Sequence, residues 1–512
     1  MNLFSIIIRS ALTITLFSFM ISCTPSNTNS KNQKNILSLL SLKYVIDSQN
    51  SGCNTGAGGF WVRNLLIKSQ ATYCVYASLV ASSTNMDLYV ENGLTTNLTY
   101  SSITNAFETN IFPIEKEAYG APSDINNDKK VTVLILDIKD GASASSGFVA
   151  GYVDPINFFA DDPSYTIHSN QKEIIFMDGN ELLTLRNKDL ANGKPDTFLS
   201  TLAHEFQHLI RFQYSQGGDD TWIDEGTSEV TSDLTGYGPQ SARLSCFKGD
   251  ASSSTSCTGG IGSTSIGSPS LFNWTSSLKN YAYAYSFMKY LYESSGTTTT
   301  TRNQFFQRSV QGFNGTRANS AYNLTTIFMS ASNFNSSVLS TDNKTTFKRI
   351  FSSFLGQAVG YANLNNVYFG NTSAVNIDTV RTTYPFSSTL QALATTPFSS
   401  ISTSSYNLTP SQVSRVTKVT TGITSNTTDF VIVSNGASGA NTEFVIFNGD
   451  NIGSKTNVTS GTASVQSLLE YPELNLNTGS DIICPNEHFN KIHQVEKSLM
   501  NLKLYDYTNS QK

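Results

Sequence analysis

The sequence predicts an α+β fold, and three observations carry the prediction. Short apolar or alternating runs bounded by turn residues dominate the first part of the chain, among them residues 59–62 (GFWV), 86–91 (MDLYVE) and 131–138 (VTVLILDI). Helical spacing dominates from Thr197 onward, in residues 197–210, 281–293 and 345–361. Alternation then returns at residues 429–433 and 443–447. Strands and helices segregated in this way point to α+β, not to a parallel sheet with crossover helices.

At 512 residues the chain is too long for one ordinary core. The pattern divides it into an export signal (1–22), a polar tether (23–35), an N-terminal β domain (36–110), a central domain (111–366), a C-terminal β domain (367–484) and a tail (485–512). Charged residues make up 14% and the net charge is −5, with no basic stripe, which excludes nucleic acid as the expected partner. The wealth of Ser, Thr, Asn, Gly and Tyr fits an exported protein, and a monomer is expected.

Taken in order, Arg9 followed by the mostly apolar residues 11–19 reads as an export signal. Its end, Met20-Ile21-Ser22-Cys23, resembles the lipobox of bacterial lipoproteins, although Leu is usual where Met20 stands. The resemblance implies lipid attachment at Cys23, a membrane anchor, and a place in the cell envelope at the outer membrane, the cell surface or the periplasmic face. Cleavage without lipidation would make the protein secreted instead. Residues 24–35 hold no large apolar side chain and cannot fold alone.

An exported chain permits disulfides, and local pairing joins Cys53 to Cys74 and Cys246 to Cys257, leaving Cys484 over. No two cysteines have CxxC spacing, so a thiolate metal site is not expected. The turn before the strand at residues 131–138 carries Asp124, Asn126 and Asp128, the first half of a calcium loop. Lys129 replaces the turn glycine and Ile135 the bidentate carboxylate, so an Asx-rich turn is the better reading, with calcium as the alternative. Residues 173–178 form a strand just ahead of the helical part. This strand is the candidate edge to pair with an extended substrate, or else an interior strand.

Asp196 or Thr197 can cap a helix whose apolar positions are Phe198, Leu199, Leu202, Phe206, Leu209 and Ile210. A second helix is expected from about Trp222 to Leu234, followed by a Gly/Ser-rich loop over residues 239–269. On the first helix His204 and His208 stand four residues apart, about 40° round the axis, so both imidazoles can grip one ion. Glu205 lies about 100° round, beside the ion and not on it, where a general base belongs. This is the mechanical content of an HExxH motif for zinc.

Catalytic zinc needs a third protein ligand and an open position. A further histidine six residues on is ruled out, because Tyr214 stands there and Arg211 occupies the glycine position, which excludes the metzincins. Glu225, seventeen residues past His208 (225 − 208) at the start of the second helix, is the candidate. Asp224 beside it is expected to point elsewhere.

At this point the chain resembles the gluzincins, whose third ligand is a glutamate on a following helix. Residues 222–226 (WIDEG) look like the W-L-N-E-G of several such families, with Glu225 in the ligand position. In these enzymes an acidic residue four positions later orients a zinc histidine, which implies that role for Glu229. The wider pattern is similar to the hyicolysin family of secreted bacterial metallopeptidases: FWVRN at residues 60–64, LYVE at 88–91, YGAPSDINNDKKVTVLILDI at 119–138, HEFQHLI at 204–210, WIDEGTSE at 222–229, then Tyr281 and FMKYL at 287–291.

The resemblance implies a zincin-like catalytic domain in residues 111–366 and a zinc endopeptidase acting on protein or peptide substrates. Tyr281 then becomes a candidate second donor to the oxyanion, since related enzymes use a tyrosine downstream of the glutamate. Its setting among other aromatic residues favours core packing instead. His168, His488 and His493 have no partner at ligand spacing. The competing class is a non-catalytic adhesin or matrix-binding lipoprotein that keeps the fold; an intact Glu205 argues against it.

Overall fold

The computed structural model describes residues 53–67, 69–142, 148–163, 165–249, 278–358 and 375–393, residues 257, 271 and 274, and the strand segments 366–369, 429–434, 442–447 and 482–483. The signal, Cys23, the tether, Cys484, His488, His493 and the tail lie outside the described residues. The chain divides into the compact units Met1–Asn54 and Thr55–Lys512. Everything below, the state of Cys53 apart, concerns the second.

Six strands form one mixed sheet. They are β1 (Gly59–Arg63), β2 (Thr72–Ser82), β3 (Met86–Glu91), β4 (Val131–Leu136), β6 (Gly151–Val153) and β7 (Ile174–Asp178), in the order β1-β2-β3-β4-β7-β6. The pairs β3–β4 and β4–β7 are parallel, whereas β1–β2, β2–β3 and β6–β7 are antiparallel. A short β5 (Phe148–Val149) pairs with β11 (Ile482–Ile483).

Side chains alternate across the sheet as the pleat requires. Val131, Val133, Ile135, Ile175 and Met177 face the helices, while Leu134, Leu136, Ile174 and Phe176 join Phe60, Val62, Val75 and Tyr152 in a second cluster on the other face. β4 is therefore buried on both sides, which is why VTVLIL reads as a continuous apolar run. Arg63 on β1 donates to Asp154 just past β6 at 2.6 Å, both side chains almost fully buried, so the two outer strands of a curled sheet are tied together. Strands β1 to β3 were expected to form a domain of their own ending near residue 110. They instead share this sheet with β4, β7 and β6. Alternation reports which face of a strand is buried, not which strand lies beside it.

Helices cover one face. α1 (Tyr100–Ala106) passes through a π-turn (Phe107–Ile111) into α2 (Phe112–Ala118). After α3 (Glu181–Ala191) come α4 (Thr197–Ser215) and α5 (Thr221–Leu234), then α6 (Ser241–Lys248), α7 (Leu278–Ser295), α8 (Thr299–Gln311), α9 (Ala321–Phe328) and α10 (Asn343–Ala358). α6 corrects the loop expected over residues 239–269, whose Gly and Ser content masks a short buried helix. None of the described helices is long and apolar enough to cross a membrane.

β8 (Asn366–Phe369), β9 (Asp429–Ser434) and β10 (Thr442–Phe447) form a separate sheet in the order β8-β10-β9. Between β8 and β9, however, α11 (Asp378–Thr383) and the residues after it return to the helical core: Val380, Tyr384, Phe386, Leu390 and Leu393 belong to the same cluster as Leu202 and Phe206. A boundary at residue 366 does not describe that segment. Its few apolar residues are diluted by Ser and Thr, so composition hides their burial.

Candidate metal centre

α4 begins where the sequence caps it. The Asp196 carboxylate accepts from the N–H groups of Phe198 and Leu199 at 3.0 and 3.2 Å, which satisfies two of the otherwise unpaired amides of the first turn. The helix ends at Gln216, whose φ of 45° starts the turn toward α5. Phe206 meets the rings of Phe107 and Phe112 at centroid distances of 5.0 and 5.8 Å. Burying one such ring contributes roughly 1.5–3 kcal/mol, and here it fixes the rotation of α4 about its axis.

That rotation turns His204 and His208 toward α5. Their Nε2 atoms lie 3.0 Å apart, and Glu225 Oε2 stands 3.3 Å from the first and 3.4 Å from the second. All three residues are buried and form one of the groups able to hold a metal ion. Zinc takes ring nitrogen and carboxylate oxygen at about 2.0–2.2 Å in a tetrahedral array, which sets neighbouring donors roughly 3.3–3.5 Å apart. The observed triangle fits that requirement, with the two nitrogens slightly closer. Neither Glu225 oxygen, though buried, takes a hydrogen bond from a group outside the two imidazoles. A buried carboxylate so placed calls for a cation.

The electrostatics agree. Burial opposes a charged Glu225, yet His208 and His204 outweigh it and bring the carboxyl down to about 2. Burial likewise opposes a charged His208, but Asp224 and Glu225 lift the imidazole well above its ordinary value. The proton on His208 thus balances these carboxylates, a place that a bound cation would take.

Asp224 points away from the donor triangle, as expected, but has a role that the sequence did not reveal. Its Oδ1 accepts from His208 Nδ1 at 3.0 Å, on the far side of the ring from Glu225. An imidazole presents its two nitrogens in opposite directions, so consecutive residues on a crossing helix can serve both. The hydrogen bond leaves the lone pair at Nε2, the tautomer that binds metal. The order Asp-Glu in WIDEG could have suggested this, had both ring nitrogens been counted.

Glu229 is placed differently from the expectation. Its Oε1 accepts from Arg243 Nε and Nη2 at 3.1 and 2.7 Å, and its ion pair is with Arg243, not with either histidine. One turn beyond Glu225, it faces α6 instead of α4. Tyr281 is fully buried on α7, edge-on to Trp274 at 5.0 Å and with the Arg243 guanidinium 5.3 Å from its ring centre.

Glu205 is fully buried, and its side chain lies against β6: a Cβ added to Gly151 would come within 3.2 Å of its Cγ. β6, not the strand expected at residues 173–178, is therefore the sheet edge beside Glu205, and α4 packs on it. β7 is interior, between β4 and β6.

Gly226 has a packing reason. A Cβ there would lie 2.8 Å from the Ala284 carbonyl oxygen, so α5 and α7 approach through this position. Gly226→Ala is expected to cost about 1–3 kcal/mol of stability by overpacking, read as a lower midpoint in urea unfolding with the slope unchanged. An unchanged midpoint would show that the two helices can part freely.

Elsewhere, Asp124, Asn126 and Asp128 spend their side chains on the N–H groups of Lys129, Asp128 and Lys130, which makes an Asx turn, and nothing supports calcium there. His168 pairs with Asp161 at 3.2 Å and stacks on Trp61. Cys246 and Cys257 are joined by a disulfide, and Cys53 and Cys74 are each disulfide-bonded.

With this geometry established, comparison with known proteins is informative. No family model matches the chain. It is 30% identical over 224 residues to the neutral metalloprotease ShpI of Staphylococcus hyicus, an alignment that covers 42% of this chain and 47% of the relative. The likeness is to a bacterial metallopeptidase. The chain spans about half the length of that curated relative.

Proposed function

We propose that this protein is a zinc metalloendopeptidase, and that His204, His208 and Glu225 hold the ion. The observation that carries the reading is the convergence of two imidazole nitrogens and one buried carboxylate oxygen within 3.0 to 3.4 Å of one another, with Glu205 on the adjoining turn. The partial likeness to a neutral metalloprotease supports peptide bonds as the target.

Zinc bound there supplies Lewis-acid polarisation of a carbonyl and lowers the pKa of water. The residues of the chain do the rest. Asp224 keeps the proton of His208 on Nδ1. Glu205 takes a proton from the attacking water as its oxygen bonds to the peptide carbon, then delivers that proton to the nitrogen as the C–N bond breaks. Tyr281 is the candidate second donor to the oxyanion. The backbone of β6 at the sheet edge is the place for an extended peptide to pair beside Glu205.

Gly151 keeps that place open. Gly151→Ala is expected to lower kcat on the order of 10-fold while zinc content stays at the wild-type level, because the added methyl, 3.0 Å from the Phe176 carbonyl oxygen and 3.2 Å from both Met177 Sδ and Glu205 Cγ, finds its space by pushing on Glu205. Unchanged kcat would mean that Glu205 has room to spare.

We propose further that the protein is held in the cell envelope by lipid at Cys23, on the strength of its lipobox-like sequence. Cys23→Ala should release it from the membrane fraction. For the activity itself, purified protein should bind one zinc per chain and hydrolyse a denatured protein, lose that hydrolysis on chelation and regain it with zinc. A zinc-loaded protein that cleaves nothing supports the adhesin reading instead.

A further inference from the structure

Beside the two helices that carry the donors runs a row of buried and half-buried charges. Arg211 follows His208 by three residues on α4, and its side chain is fully buried. Its Nε donates to Asp219 Oδ2 at 2.7 Å, Nη1 to Thr227 Oγ1 at 3.3 Å and Nη2 to the Ala318 carbonyl at 3.1 Å. Asp219, in the connection between α4 and α5, is gripped a second time by Arg317, whose Nη1 donates to Oδ2 at 2.6 Å and whose Nη2 donates to Oδ1. Burial would raise the Asp219 carboxyl, but the two guanidinium groups hold it below its ordinary value.

The other acid beside Arg211 is Asp224. Its Oδ1 lies 3.6 Å from Arg211 Nε, and this is the same oxygen that accepts from His208 Nδ1. Two cations and two anions thus alternate along the row, Arg317, Asp219, Arg211 and Asp224, and end on a histidine of the metal centre. Buried ion pairs of this kind add little net stability over apolar packing, because desolvation offsets the attraction. What they can do is fix geometry. Arg211 reaches α5 through Thr227, the α4–α5 connection through Asp219 and the segment before α9 through Ala318.

We propose that Arg211 is a positioning residue of the metal centre, anchored by Asp219, Arg317 and Thr227, which holds the Asp224 carboxylate against His208 Nδ1. The proposal rests on the reading that His208 holds the ion. Lysine cannot replace Arg211 here: it keeps the charge but lacks the planar fork that reaches three partners at once.

The test is a double-mutant cycle on zinc affinity, measured by chelator competition with the full-length protein. Asp224→Asn is expected to weaken zinc binding by about 10- to 100-fold, as loss of a histidine's outer partner does. Arg211→Lys is expected to weaken it on the order of 10-fold in the wild-type background and by less than about twofold in the Asp224→Asn background, since Arg211 acts through Asp224. In the cobalt-substituted protein the exchangeable Nδ1–H resonance of His208 should broaden or vanish in Arg211→Lys, which a merely structural role would not produce.

Should Arg211→Lys fail to fold, Thr227→Val removes one anchor and leaves every charge in place, and the same coupling is expected. Additive effects in both cycles, or zinc affinity unchanged by both Arg211→Lys and Thr227→Val, would overturn the role of Arg211. A wild-type protein that binds no zinc, or whose zinc affinity is untouched by His208→Ala, would remove the metal-centre reading itself, so the two failures are distinct.

Discussion

Glu205→Gln should abolish hydrolysis and leave the zinc in place. Gln keeps the size of the side chain, and Glu205 is not among the three residues whose donor atoms converge, so the metal content of the variant should match the wild type. What is lost is the proton carrier. Positioned general acid–base groups contribute typically about 10²- to 10⁴-fold, and kcat should fall by at least that range because one carboxylate serves both proton transfers. The measurement is single-substrate peptide hydrolysis with zinc content determined on the same sample. Hydrolysis that persists at the wild-type rate would sink the mechanism.

The second large effect is expected from Glu225→Ala. An outer-shell partner already carries about 10- to 100-fold of metal affinity, so removal of a ligand should exceed the upper end of that range. Stability offers an independent readout. An ion that binds only the folded state stabilises it by about 4 kcal/mol when its free concentration is 1,000 times Kd. Wild-type protein should therefore melt at a clearly higher temperature with zinc than with chelator, while Glu225→Ala should melt at one temperature under both conditions. A variant that still gains stability from zinc would show that Glu225 is not the third ligand. Since Glu225 is fully buried, its loss also leaves a small cavity, and the metal-free variant need not equal the metal-free wild type.

Much of the site was legible because a helix converts spacing into angle. His204 and His208 share a face of α4 and Glu205 adjoins it, and no tertiary information is needed for that. The Asp196 cap and the start of α5 followed from residue type. The segregation of strands before helices was enough for the α+β class. By contrast α1, the π-turn and α2, in which Phe107 of the turn and Phe112 of α2 meet Phe206 on α4, left no clear periodic signal in a stretch interrupted by Pro113. α6 was masked by Ser and Gly, and residues 375–393 by Ser and Thr.

The sequence by itself determined which residues could act: a histidine pair, a base beside it and an acid on the next helix. Which acid does what was decided only by the crossing of α4 and α5. That crossing brings Glu225 to the Nε2 side of the imidazoles, Asp224 to Nδ1 of His208, and turns Glu229 away to Arg243. It also chose the strand beside the site, since pairing order within a sheet depends on partners far along the chain and places β6, not β7, next to Glu205. Angles within one helix are fixed by local geometry. Angles between two helices come from the side chains packed between them, here from the forked grip of Arg211 between α4 and α5, while Gly226 sets the approach of α5 to α7.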